Sequence, residues 1–126
     1  MTVQEVANRL VELCRIGDFE TALKELYSDN IKSIEVPGSP APNIEGMEAK
    51  IEKSKHFQDS VEAFHSNEIS EPLVADSFFS ITMKMEVTFK GAGRVTMEEV
   101  CVYEVRDGKI VLEQFFFTPD PVPSAS

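Results

Sequence analysis

Two short amphipathic helical stretches, a strand and a third helix precede a long C-terminal run of strand signal that includes Val105-Arg106-Asp107-Gly108-Lys109-Ile110. This order constrains the chain more than any motif in it, because helices grouped ahead of consecutive strands must bury their apolar stripes against the sheet. The expected class is α+β, a cone-shaped half barrel in which a curved antiparallel sheet packs on three N-terminal helices and encloses a pocket. A chain of 126 residues buries roughly two-thirds of its unfolded surface, so its stability requires no metal or crosslink.

The first helix is read over Thr2 to Cys14, where Val3, Val6, Ala7, Leu10, Val11 and Cys14 recur at helical spacing. Thr2 and Glu5 fit a capping box. Asp18 caps a second helix carrying Phe19, Ala22, Leu23, Leu26 and Tyr27, which Ser28-Asp29-Asn30 is expected to end. Ile31 to Val36 reads as a strand stopped by the proline-rich loop Pro37 to Pro42, and a third helix is expected from Gly46 to about Phe64. His65 to Ser70 is a modest strand candidate, followed by a turn at Ala75-Asp76. Phe78 to Phe89, Arg94 to Val105 and Ile110 to Phe117 are strong strands, and the Gly-rich and Asp-Gly connections make them sequential antiparallel neighbours. A single domain over 1–118 with a flexible tail over 119–126 is the expected organisation.

The formal charge of −10 repels a phosphate backbone and argues against nucleic-acid binding. Cys14 and Cys101, one in a helix and one in a strand, read as buried thiols of a reducing compartment. The start of the chain lacks a signal-peptide pattern, and no apolar run is long enough to span a bilayer, so a soluble cytoplasmic protein without membrane contact is expected. His56 and His65 lack the spacing of a metal motif, and Gly91-Ala92-Gly93 lacks the features of a phosphate loop. Neither a metal nor a cofactor is expected.

The element order, the helix entry Asn43 to Ala49 and the segment Tyr103 to Ile110 resemble the nuclear transport factor 2-like (NTF2-like) superfamily, in its SnoaL-like and ketosteroid isomerase-like branch. The resemblance covers nearly the whole chain and implies a half barrel with a pocket between helices and sheet. In the isomerases, a carboxylate after the first strand moves a proton beside a carbonyl, while a tyrosine and a protonated acid stabilise the oxyanion. By that resemblance Val36 occupies the place of the base, Val102 that of the acid, and Cys14 or a neighbour the region of the tyrosine. The isomerase triad is therefore expected to be absent. A shift of one residue in either strand would instead turn Glu35 or Cys101 inward.

Glu98 and Glu99 are adjacent on a strand, so each faces a different side of the sheet. With Val102 inward, Glu98 points into the pocket, and Glu98 or Glu35 carries proton transfer if the protein is an enzyme; partial exposure or a structural salt bridge is the competing reading of Glu98, and a rim or solvent-facing carboxylate that of Glu35. Tyr103 is a hydrogen-bonding candidate if the strand phase is reversed, and His65 is placed at the pocket mouth. Consecutive Phe115, Phe116 and Phe117 cannot share one face, which favours a homodimer through the outer sheet, a local bulge being the alternative. The functional expectation is a small apolar or amphipathic ligand with isomerase, cyclase or dehydratase chemistry. The alternative is a noncatalytic binding or dimerisation module.

Overall fold

The computed structural model describes residues 1–39 and 41–119. Helix α1 spans Val3–Arg15 and begins with the anticipated capping box: the Glu5 N–H donates to Thr2 Oγ1 at 3.1 Å, and the Thr2 N–H donates to Glu5 Oε1 at 2.8 Å. Its stripe of Val6, Ala7, Leu10, Val11, Leu13 and Cys14 is buried. Helix α2, Phe19–Leu26, starts where Asp18 accepts from the Thr21 N–H and adds Ala22, Leu23 and Leu26 to the same core.

Strand β1 begins at once, over Tyr27–Ile34. Ser28-Asp29-Asn30, expected to terminate the helix, lies inside this strand, and the register against its neighbour shifts between Tyr27 and Lys32. A bulge thus accommodates residues whose local preference is for turns. The strand also stops at Ile34, short of Val36. Two-residue β2, Ile44–Glu45, pairs with it and leads into α3, Met47–Ser60.

Helix α3 ends earlier than expected, and Val61–Ile69 forms β3. Phe57, Val61 and Phe64 have helical spacing, but Val61 and Phe64 pair with Phe89 and Val87 across the sheet. Long-range pairing overrides the local period there. The remaining strands are β4 (Leu73–Ala75), β5 (Phe78–Phe89), β6 (Gly93–Arg106) and β7 (Lys109–Phe116). They close a sheet of order β2-β1-β7-β6-β5-β3, with β4 pairing to β5. The expected antiparallel hairpins β5–β6 and β6–β7 are present. The β6–β7 turn carries Asp107 at φ 52° and Gly108 at φ 74°, the left-handed pair that a tight hairpin needs. The contact between β1 and β7 is parallel, so the curved sheet has one parallel seam.

The core lies between α1, α2 and the concave sheet face, where Phe79, Ile81, Cys101, Tyr103, Val105 and Ile110 meet the helix stripes. Phe79 stacks on Tyr103 with centroids 4.7 Å apart. No helix is long and apolar enough to cross a membrane among the described residues. The expected tail lies outside the described residues beyond Pro119. Phe79→Ala is expected to lower unfolding free energy by about 3–5 kcal/mol in urea melts, through lost burial and an unfilled cavity.

Candidate functional site

The strand phase decides which polar groups look inward. On β6, Cys101, Tyr103 and Val105 are buried, whereas Glu98 and Val100 are exposed. Odd positions therefore face the helices. Glu98 lies on the outer face, contrary to the expectation that it points into the pocket, and Val102 shares that outer face opposite Ser80 and Gln114. Glu99 is the inward carboxylate. The physical reason is packing: Cys101, Tyr103 and Val105 fit the α1 and α2 stripes as one alternating set, and Val100 and Val102 belong to the opposite set.

The charged centre of the concave face was not among the sequence candidates. Glu113 on β7 is 1% exposed. It accepts from Tyr27 Oη at 2.7 Å and from Ser33 Oγ, both on β1, and forms an ion pair with Lys50 on α3. Burial opposes ionisation of Glu113, but Lys50 and the two hydroxyl donors outweigh it and hold the carboxyl below its ordinary value. Burial, followed by the Glu113 charge, pushes the Tyr27 phenol well up. A weak sequence signal was available: Glu113 and Phe115 are two residues apart on a strand, so an inward Phe115 carries Glu113 onto the same face.

Glu35 continues the inward phase of Ile31 and Ser33 past the end of β1. Its carboxylate pairs with Lys53 Nζ at 2.6 Å, and its N–H donates to Asn43 Oδ1 at 2.7 Å. Lys50 and Lys53 stand three residues apart on α3, on one side of the helix. Their ammonium groups lie 5.8 and 5.7 Å from the Phe115 ring centroid. Among the described residues α3 has no buried side chain. Its hold on the sheet comes from these lysines, from Met47, which packs partly buried against the core, and from Phe57, which meets Phe64 and Phe89 edge-on.

Glu99 differs from its two neighbouring carboxylates. No cation pairs with it among the described residues, and its side-chain partner is the Cys101 thiol, 3.7 Å from Oε1. Met83 stands opposite it on β5, and Met97 and Cys101 flank it on β6. Burial and then the Glu35 charge raise its pKa to about 7. Met85 and Val87 on β5, paired with Met97 and Val95, extend an apolar wall from this carboxylate.

The other sequence candidates fall elsewhere. Tyr103 faces inward, as the reversed phase requires, but is packed in the core against Phe79, where burial raises its phenol well above the ordinary value. Cys14 is buried, its thiol pushed up to about 12 by desolvation and then by Glu113. Its carbonyl accepts from Asn67 Nδ2. Val36 follows β1 and is partly buried. His65 is exposed on β3, with Nε2 2.7 Å from Thr88 Oγ1. It borders an open depression of about 470 Å³ with Arg15, Phe19 and Asn67. A second depression, of about 560 Å³, is lined by Asp29, Glu45 and the first turns of α3. Neither depression includes Glu99, Glu113 or the two lysines, so the chemistry of the chain is concentrated on the concave sheet face and not in its open clefts. No group of three or more His, Cys, Asp or Glu among the described residues is arranged to hold a metal.

A half barrel of this topology, with a polar group on its concave face under a crossing helix, defines the NTF2-like architecture. The SnoaL-like domain family matches residues 1–117, and the chain belongs to that family. A protein from Mesorhizobium loti, described as a candidate SnoaL-like polyketide cyclase and also as a carbohydrate phosphatase, is 36% identical. The match covers 93% of this chain and 100% of that one, with a TM-score of 0.87. An NTF2-like protein of unknown function from Burkholderia pseudomallei shares the fold at 16% identity, TM-score 0.76, covering 94% of this chain and 92% of that one. A candidate polyketide cyclase from Pseudomonas putida does so at 14% identity, TM-score 0.71, with coverage of 94% and 92%. No curated protein matches the chain. The SnoaL-like fold is consistent with a small-molecule pocket.

Glu113→Gln is expected to cost about 3 kcal/mol at pH 7, because the amide leaves the Lys50 ammonium uncompensated in a buried setting. Since Glu113 is held below its ordinary 4.5, its contribution is present above pH 4.5 and is lost as pH falls through the folded value. Acid unfolding followed by circular dichroism should accordingly show a shallower stability loss below pH 4.5 in Glu113→Gln than in the wild type.

Proposed function

We propose that the chain binds a small, largely apolar molecule on the concave face beneath α3, and that Glu99 exchanges a proton with it in isomerase, cyclase or dehydratase chemistry. The observation that carries this reading is the state of Glu99: an inward carboxylate without a cation partner among the described residues, set beside Met83 and Met97, with a pKa raised to about 7. A carboxyl poised near neutrality serves as acid or base with equal ease. Glu113, already satisfied by three partners, is a poor proton carrier. Glu35 is committed to Lys53, and Glu98 projects from the opposite face. The description of the Mesorhizobium loti relative as a candidate polyketide cyclase is in keeping with this chemistry.

The folded value of Glu99 lies above its ordinary 4.5. The group therefore favours the folded state fully below pH 4.5, and that contribution is lost as pH rises through about 7. Glu99→Gln is expected to be more stable than the wild type above pH 7, by roughly 3 kcal/mol, with the difference vanishing toward pH 4.5. A carbon-13 titration of the Glu99 carboxyl should give a midpoint near 7. A midpoint in the ordinary carboxylate range would remove Glu99 from the role. Saturable ligand binding that is never accompanied by turnover would support the noncatalytic alternative.

A second reading concerns the outer sheet face, proposed to pair two copies of the chain. Phe116 and Val100 are cross-strand partners there, 45% and 42% exposed, with Phe78 on the same face at 42%. Phe116→Lys is expected to convert a dimer to monomer in sedimentation equilibrium without altering the Glu99 titration. A wild-type chain that sediments as a monomer at all concentrations would exclude this pairing.

A further inference from the structure

Resting on the reading of Glu99 as the proton carrier, we infer that Lys53 is a second catalytic residue, whose ammonium faces the substrate oxygen on which negative charge develops. When a neutral substrate gives a proton to Glu99, the electrons of the broken bond move onto the substrate, and its oxygen becomes an oxyanion. Charge of that kind in a partly buried setting is costly unless a fixed positive group meets it. The proton is held on Glu99 until it returns to the substrate, so no other reactant is consumed.

Lys50 and Lys53 are the cations that α3 brings to this face. Lys50 is not free to serve. Moving it toward a ligand would strand the Glu113 carboxylate, which is 1% exposed and already occupied on both oxygens by Tyr27, Ser33 and Lys50 itself. Lys53 has one carboxylate partner, Glu35, which lies past the end of β1 beside the Pro37-Gly38 turn and accepts from no other side chain among the described residues.

Lys53 is linked to Glu99 through Phe115, while Lys50 is the lysine whose charge acts on Glu99 directly. The Lys53 Nζ lies 5.7 Å from the Phe115 centroid, and Phe115 is the cross-strand partner of Cys101, whose thiol reaches Glu99. The Glu35 charge is also close enough to act on Glu99. On this inference a planar substrate lies along Phe115, with the Glu99 carboxyl at one edge and the Lys53 ammonium at the other. Glu35 is then a positioning residue, which holds the Lys53 ammonium in place between turnovers.

The test uses p-nitrophenol with the full chain, because absorbance separates its phenol and phenolate forms, and nitrobenzene as a neutral control. Nitrobenzene and p-nitrophenol should both shift the backbone amide resonances of Glu99 and Phe115. Bound p-nitrophenol should ionise about one unit below its free value. Lys53→Met should abolish that shift and weaken phenolate binding about tenfold, while nitrobenzene affinity is retained; Lys53→Arg should restore the shift. A purely structural role would weaken both probes alike and overturn the inference, as would an unchanged shift in Lys53→Met. If neither probe perturbs Glu99 and Phe115, the concave face is not the ligand site, and the reading beneath the inference fails with it.

Discussion

The Glu113 carboxylate joins three elements that local preference alone would leave apart. It takes hydroxyl hydrogen bonds from Tyr27 and Ser33 across the parallel β1–β7 seam and an ion pair from Lys50 on α3. A buried carboxylate is costly by itself, so the arrangement persists only because every element supplies its share of the compensation. Helix α3 depends on it most. Without fully buried side chains of its own among the described residues, that helix lies across the concave face by lysine pairing, the partly buried Met47 and the edge contacts of Phe57. The same pairing brings two ammonium groups to the aromatic floor at Phe115.

From this tie follows a division of labour among three inward carboxylates. Glu113 is saturated and ionised, Glu35 is paired, and Glu99 lies beside sulfur-bearing side chains with no ion-pair partner among the described residues. Glu113 and Glu99 thereby acquire different proton affinities, because solvation and partners, not residue type, set them. The negative charge of Glu35 contributes to the raised value of Glu99, so the structural pairs and the candidate proton carrier are electrostatically coupled. Alternation along β6 then separates functions by face: Glu99 belongs to the concave chemistry, and Val100, one residue on, to the exposed apolar surface around Phe116.

Much of the architecture was legible from the chain itself. The stripe of α1, its Thr2–Glu5 box, the Asp18 cap and the Asp107-Gly108 hairpin are local signals, in which a few neighbouring residues settle the backbone conformation. Boundaries failed where a local signal met a distant partner. Phe57, Val61 and Phe64 spell a helical stripe, but β5 claims the last two; Ser28-Asp29-Asn30 spells a turn, but β7 holds it in a bulged strand. The site was less legible than the fold. Glu98 and Glu99 are one residue apart, and choosing between them requires the phase of β6, which resemblance to the isomerases placed one residue off.

The sequence by itself determined the element order, the α+β class, the sequential hairpins and the restriction that adjacent glutamates must face opposite ways, because these depend on period and turn chemistry within short windows. Tertiary structure decided which glutamate faces inward, that Glu113 rather than a β1 carboxylate is the buried anchor, and that Lys50 and Lys53 meet Phe115. Those facts join residues tens of positions apart. Side-chain charge and burial acquire their energies only from neighbours that folding brings together, and no local pattern encodes which neighbours those are.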